Sequence, residues 1–256
     1  FQLFYWDYTF GILLITLFFA FTFGSVGDFG RSFLHDLEQA KMSNLTSAFI
    51  GGIIFNFANL LLVIAIEIAG MAIAFPIGIG IALVLGVFTN YIAQPEGDPL
   101  ILIVGVILVA IAILIDGIAY KKILQKTNEN PLKGILFSVS AGIAMGFFYK
   151  YVAASMASDF IIPEAGKLTP YSALVIFSLG IIISSFLFNT INMYRPFSGE
   201  KVSFSDYFTM GNTKLHLIGI LGGVIWGIGM SFNIIASDQA GPAIAYGLGQ
   251  GATLVA

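Results

Sequence analysis

Two amides, Asn56 and Asn59, stand three residues apart in a stretch from Gly51 to Ile66 that has no other polar side chain. At that spacing they share one face of a helix. Two carboxamides on one face make a hydrogen-bonding wall for a sugar-like or ureide-like solute. They serve equally well to bond helix to helix, a contact worth roughly 1 kcal/mol or less in lipid. Trp226, Asn233, Tyr246 and Gln250 form a second set near the end of the sequence. An indole face with a few oriented donors suits a neutral, hydroxyl-bearing or heterocyclic ligand. Trp226 falls in the middle of its apolar stretch, where an interfacial aromatic belt does not account for it; packing in the core does so as well as a ligand would. Asp7 lies among aromatics, and a buried carboxyl whose pKa rises is a candidate proton carrier. A position at the membrane boundary is the simpler alternative for it.

Other chemistry lacks its residues. His35 and His216 are far apart, and the pair His35–Asp36 has no second cluster to complete a metal site. Without cysteine there is no disulfide framework and no thiolate ligand or nucleophile. No phosphate-binding glycine loop and no GxSxG elbow occurs, so neither an enzyme nor a cofactor is expected. Charged residues make up 10 % of the chain and the net charge is −3, which gives nucleic acid no basic surface to bind.

The elements that must position these residues are membrane spans. The composition is 58 % hydrophobic with a mean hydropathy of +0.94, far from the ~25 % charged residues of a soluble domain. Seven apolar stretches exceed the ~18 residues that read as a spanning helix. The sequence predicts helices over 2–24, 47–68, 70–93, 99–119, 132–153, 169–191 and 213–236, with another beginning at Gly241–Pro242. Residues 25–46 form a polar connection in which FGRSFLHDLEQA reads as a short amphipathic helix. Glu67 and Asp238 read as caps at hairpin tips, and Asp116 with Lys121 and Lys122 as an interface pair. The first stretch carries Asp7 and no basic leader, unlike a signal peptide.

An internal repeat organises these spans. Moving residues 51–85 forward by 171 positions, without a gap, places them on 222–256 with fourteen of thirty-five positions identical. The matches include Gly51/Gly222, Gly52/Gly223 and Gly70/Gly241, and Glu67 meets Asp238. The two copies lie five helices apart. An odd number makes the second cross the membrane in the opposite sense, an inverted-topology repeat of the kind secondary transporters use. The expected fold is therefore an all-α polytopic membrane protein of two five-helix units, with about eight helices present: residues 1–119 in the first repeat and 132–256 in the second. The same register leads us to expect a parent of ten helices. Pro76, Gly78 and Gly80 in one copy, with Gly247, Gly249 and Gly251 in the other, are the expected hinge positions, Pro76 falling opposite Gly247. Lysine and arginine weigh seven to four towards the connections after 68, 119 and 191, making that side cytoplasmic.

The residues GGIIFNFANLLL with AGMAIAFPIGIG, and LHLIGILGGVIWGIGMSFNIIAS with AGPAIAYGLGQGATLV, resemble the drug/metabolite transporter superfamily. Within it they look like the glucose/ribose porter and ureide-permease-like branch of bacterial inner-membrane permeases. The resemblance implies two inverted five-helix repeats around a central substrate cavity, lined here by the helices over 47–68, 70–93, 213–236 and from 241. It implies secondary transport of a small polar metabolite such as a sugar, nucleoside or ureide by alternating access. The expected partners are that solute, the bilayer, protons as coupling ion and a second copy in a homodimer; the expected location is the bacterial inner membrane. The alternatives are an exporter of the same fold, a membrane enzyme such as a lipid-group transferase, and an assembly subunit.

Overall fold

The computed structural model describes residues 1–26, 30–123 and 131–255, with side chains placed over 1–26, 30–115 and 132–253. The Asp116–Lys121–Lys122 grouping lies outside the described side chains. Among the described residues ten helices follow in order: α1 (Gln2–Phe21), α2 (Phe33–Gln39), α3 (Met42–Ala69), α4 (Met71–Ala93), α5 (Pro99–Ile123), α6 (Pro131–Ser155), α7 (Pro170–Tyr194), α8 (Phe204–Thr209), α9 (Thr213–Ala240) and α10 (Pro242–Val255). Six of them, α1, α3, α4, α6, α7 and α9, are long and apolar enough to cross a membrane, and α5 is apolar over Pro99–Ile115. The protein is a polytopic all-α membrane protein.

Local chemistry sets the helix ends. Prolines open α5, α6, α7 and α10, where a fixed φ suits the first turn and the missing N–H had no partner to lose. The breaks after α3 and α9 fall on Gly70 and Gly241, at φ +83° and +76°. A side chain at either would strain the backbone. These breaks are 171 residues apart, and so are both ends of α3 and α9. The short helices keep the same spacing: Phe33 begins α2 and Phe204 begins α8, each after a serine N-cap. Long, short, long is thus the order of α1–α3 and again of α7–α9, and α4 and α10 each follow across a glycine break.

The chain divides into two compact units. Neither coincides with a sequence repeat, since each draws helices from both halves. The first holds residues 1–56 and 151–238. In it α1 lies antiparallel on α7: the Asn189 side chain donates to the Gln2 carbonyl at one end (2.9 Å), Thr16 and Ser178 share a hydrogen bond at 2.9 Å, and Gly24 sits under Tyr171 at the other end. Two glycine crossings fix the flanking helices. On α3, Gly52 meets Gly180 of α7; on α9, Gly223 meets Gly11 of α1. A methyl group at Gly52 or Gly223 would strike the carbonyl of Phe177 or Tyr8. Bulk at either crossing would therefore force backbone apart.

The second unit holds residues 57–150 and 239–256. Here α10 runs antiparallel to α4, with Ile244 by Gly97, Gly247 by Val87 and Gly251 by Leu83. Pro76 lies inside α4, which stays helical from Met71 to Ala93. Two glycines let α6 press close: Gly142 packs on the Gly78 carbonyl, and Thr89 donates to the Gly146 carbonyl at 2.8 Å. Gly80 receives the Ile113 side chain of α5.

Candidate functional site

Apolar helices leave few ways to place a polar group, and α1 and α7 place theirs on the faces they share. Along α7, Ser178, Ser185, Asn189 and Asn192 fall on one face and are buried. They meet a buried row on α1 of Gln2, Tyr5, Thr9 and Thr16. The seam is bonded from Thr16–Ser178 to Gln2–Asn189. At the latter end the Gln2 amide nitrogen, the Asn189 amide oxygen and the Asn192 amide nitrogen are buried without a partner among the described residues.

Asn56 closes the seam from α3. It accepts from the Tyr5 hydroxyl at 2.8 Å and from Ser185 at 3.3 Å, and donates to Ser184 at 2.8 Å. Fully buried and bonded on both sides of its amide, Asn56 ties α1, α3 and α7 together. Its partner in the sequence argument, Asn59, is half-buried and belongs to the second unit.

Beside Asn56 an aromatic group assembles around Trp226 of α9. The buried Phe55 ring stacks on the indole at 4.6 Å and 30°, and buried Phe177 lies at 6.4 Å and 22°. Tyr8 of α1 closes the group at 6.2 Å and 56°. Trp226 and Tyr8 are only half-buried. Neither the indole N–H nor the Tyr8 hydroxyl has a hydrogen-bond partner among the described residues. Asn233, seven residues on from Trp226, shares its face of α9 and is half-buried. An aromatic wall with unspent polar edges can hold a neutral solute by stacking and hydrogen bonding. Tyr8 was not singled out from the sequence, because an aromatic near a helix start reads as belt.

Asp7, one residue earlier, points elsewhere. It is buried at 4 % exposure, accepts from the Tyr207 phenol of α8, and lies 2.8 Å from His216 Nδ1 of α9. Gly219 makes room for it. Burial, followed by the bond to Asp7, pushes the Tyr207 phenol up to about 12. This constellation of carboxylate, imidazole and phenol can take up, hold and pass a proton.

In the second unit Tyr246 is buried at 1 % exposure. Its hydroxyl lies 3.1 Å from the carbonyls of Ala82 and Met145, and its ring fills the space over Gly86. It bolts α10 to α4 and α6, with its one hydroxyl proton engaged by those carbonyls. Gln250 and Gly249 are half-buried on α10. A crevice of about 140 Å³ between α4 and α5 is lined by Val87, Phe88, Tyr91, Pro99, Leu102, Ile103 and Val106. Its apolar lining suits a hydrocarbon chain better than a polar solute. Asp238 accepts from the Phe160 backbone at 3.1 Å, and Glu67 is exposed.

Comparison with known proteins agrees with this picture. The model of a family described as "Sugar transport protein" matches residues 8–256. Ureide permease 3 of Arabidopsis thaliana is 25 % identical over 271 residues, covering 94 % of this chain and 77 % of that protein. No solved structure matches.

Proposed function

The chain belongs to the sugar transport protein family, a membrane transporter of small solutes, and on that premise we propose that it is a permease working by alternating access. Its cargo is a small polar metabolite of the sugar, nucleoside or ureide class. The observation that carries this reading is the recurrence of α1–α4 in α7–α10, with equivalent helices packed antiparallel as α1 on α7 and α4 on α10. Antiparallel equivalents are what two repeats of opposite membrane sense require. Trp226 and Asn233 in the first unit, and Asn59 and Gln250 in the second, are each proposed solute contacts, and Asn56 and Tyr246 hold the helices that present them. Pro76 and Gly247 are the proposed bending points, with Gly78, Gly80, Gly249 and Gly251 easing close approach around them. The membrane is proposed to be a bacterial inner membrane, and a homodimer its working assembly.

Because the chain has no cysteine, its topology can be tested without removing any. Glu38 and Thr209 are exposed and occupy equivalent positions 171 residues apart, at the ends of α2 and α8. Glu38→Cys and Thr209→Cys should react with a membrane-impermeant maleimide from opposite sides of sealed vesicles. Labelling from one side would remove the inverted repeat, and alternating access with it. For transport itself, proteoliposomes should accumulate at least one labelled solute from a panel of sugars, nucleosides and ureides.

Asp7 is the proposed proton carrier, with His216 as the group that shares its proton. Asp7→Asn should flatten the dependence of uptake on external pH. Uptake with an unchanged pH profile would assign Asp7 to structure alone.

A further inference from the structure

We propose that Tyr8 and Trp226, backed by Phe55 and Phe177, form a stacking subsite that takes a single neutral ring and reads its edge through the indole N–H and the phenol hydroxyl. The inference rests on the transporter reading and assigns a specificity-determining role to Tyr8.

The position of Trp226 on its helix carries the first step. On α9 the exposed stripe that meets lipid is Ile218, Leu221, Ile225 and Phe232. Gly223, Gly227, Met230 and Ile234 form the buried stripe. Trp226 stands between the two stripes, half-buried and near the middle of a 28-residue helix. An indole there is neither a belt residue nor a filled core position.

The second step is rigidity. Gly223 lies one turn before Trp226 and takes the Tyr8 carbonyl into the space a side chain would fill. That crossing fixes the height of Tyr8 against the indole. The Tyr8 ring rests on Tyr5 at 5.7 Å, and the Tyr5 hydroxyl is held by Asn56 at 2.8 Å. The rings are therefore positioned from behind by the amide whose own hydrogen bonds are already made. Pre-positioned rings lose little freedom when a ligand arrives.

The third step is charge. None of the four side chains ionises near neutrality, and the nearby Asp7 carboxylate is taken by Tyr207 and His216. An anion finds no counter-charge here, and a cation gains ring faces but gives the indole N–H no acceptor. A flat face with acceptors or donors on its edge, by contrast, uses the rings and both free polar groups. Sugars present such a face through their axial C–H groups, and oxo-heterocycles through their π system. An open-chain polyol offers the same hydroxyls without the face.

Trp6 and Trp226 are the two tryptophans, so Trp6→Phe leaves Trp226 as the sole indole of the full-length chain. Its emission should be titrated in detergent with D-glucose, with uracil and with mannitol. A saturable change with either ring solute and none with mannitol is expected. Tyr8→Phe keeps the ring and should raise the half-saturation concentration about threefold to tenfold, the loss of one neutral hydrogen bond, at unchanged Tm. Trp226→Phe, read by calorimetric titration, keeps a stacking face without the N–H and should weaken binding by a similar factor. The proposal is overturned if both ring solutes leave the emission unchanged at millimolar concentration, if mannitol acts equally, or if Tyr8→Phe titrates as its parent does. Opposite-side cysteine labelling with sustained uptake, alongside any of those three results, would remove the subsite and leave the transporter standing.

Discussion

Helices α2 and α8 occupy equivalent places in the two halves of the sequence, and the residues that tie them down have opposite chemistry. Asp36 on α2 is fully buried and receives Arg31 Nε at 2.9 Å, together with the Thr169 amide and hydroxyl at 2.8 and 3.1 Å. Thr169 is the N-cap of α7, so the carboxylate also faces the positive end of that helix. The rest of the Arg31 fork donates to the carbonyls of Pro163, Glu164 and Lys167. The residue 171 positions after Asp36 is Tyr207, and its phenol reaches Asp7 near the start of α1. One frame therefore carries a guanidinium–carboxylate clasp at α2 and a phenol–carboxylate–imidazole clasp at α8. Arginine keeps its charge at any ordinary pH, while histidine does not. On the proposal that Asp7 carries a proton, the α2 attachment is the fixed one and the α8 attachment the responsive one.

Breaking the fixed clasp should have the largest effect. Arg31→Ala leaves the Asp36 carboxylate buried and its ion pair gone, a change that costs about 3–5 kcal/mol in comparable sites. It also takes a donor from each of three carbonyls of the 163–167 loop. The melting temperature of the purified protein should fall sharply, and Arg31→Lys should recover only part, because a point charge cannot fill the fork. A loss under about 1 kcal/mol, the value of an exposed pair, would mean that α2 is not clasped.

The α8 clasp should prove weaker. Asp7→Asn keeps the shape and removes the charge from two hydrogen bonds, each worth roughly 1.5–3 kcal/mol when one partner is charged. Asparagine can still bond Tyr207, so the net loss should fall near the value of one such bond and below that of Arg31→Ala. Denaturation of the two variants under one set of conditions ranks the clasps directly. Were Asp7→Asn the more damaging, the ranking of the two clasps by strength would be reversed.

Much of the frame was legible in the sequence. The recurrence at 171 residues placed α3, α4, α9 and α10, because Gly70 and Gly241 punctuate both hairpins and apolar length decides a span. The pair α2/α8 was half-legible. FLHDLEQ shows an amphipathic turn, but FSDYFT shares with it only the phenylalanine and the preceding serine, and similarity that slight does not rise above chance. The bond between Asp7 and His216 joins residues 209 apart, and periodicity says which face a residue is on, never which distant face it meets. The pairing of Asn56 with Tyr5 and Ser184 was hidden for the same reason. A short-range pattern identified the amide as expensive, and only tertiary packing showed that helix partners already satisfy it.

The smallest expected effect isolates the phenol of the responsive clasp. The Tyr207 phenol is held up to about 12 from an ordinary 10.0, chiefly by burial and then by its bond to Asp7. A group whose folded-state pKa lies above its unfolded value adds stability that is complete below the unfolded pKa. That stability is lost as pH rises through the folded one. The contribution of Tyr207 should thus be full below pH 10 and gone above pH 12. Tyr207→Phe removes it at every pH, so the two proteins should differ below pH 10 and converge across that window. Because Tyr207 is half-exposed, solvent screening keeps the difference small, and denaturant midpoints taken at closely spaced pH values are the suitable measurement. Arg31→Ala leaves Tyr207 and Asp7 in place, so it should stay parallel to the parent protein while Tyr207→Phe approaches it. Curves for Tyr207→Phe that stay parallel as well would show that the phenol does not feel Asp7, and the two clasps would then differ in strength but not in their response to protons.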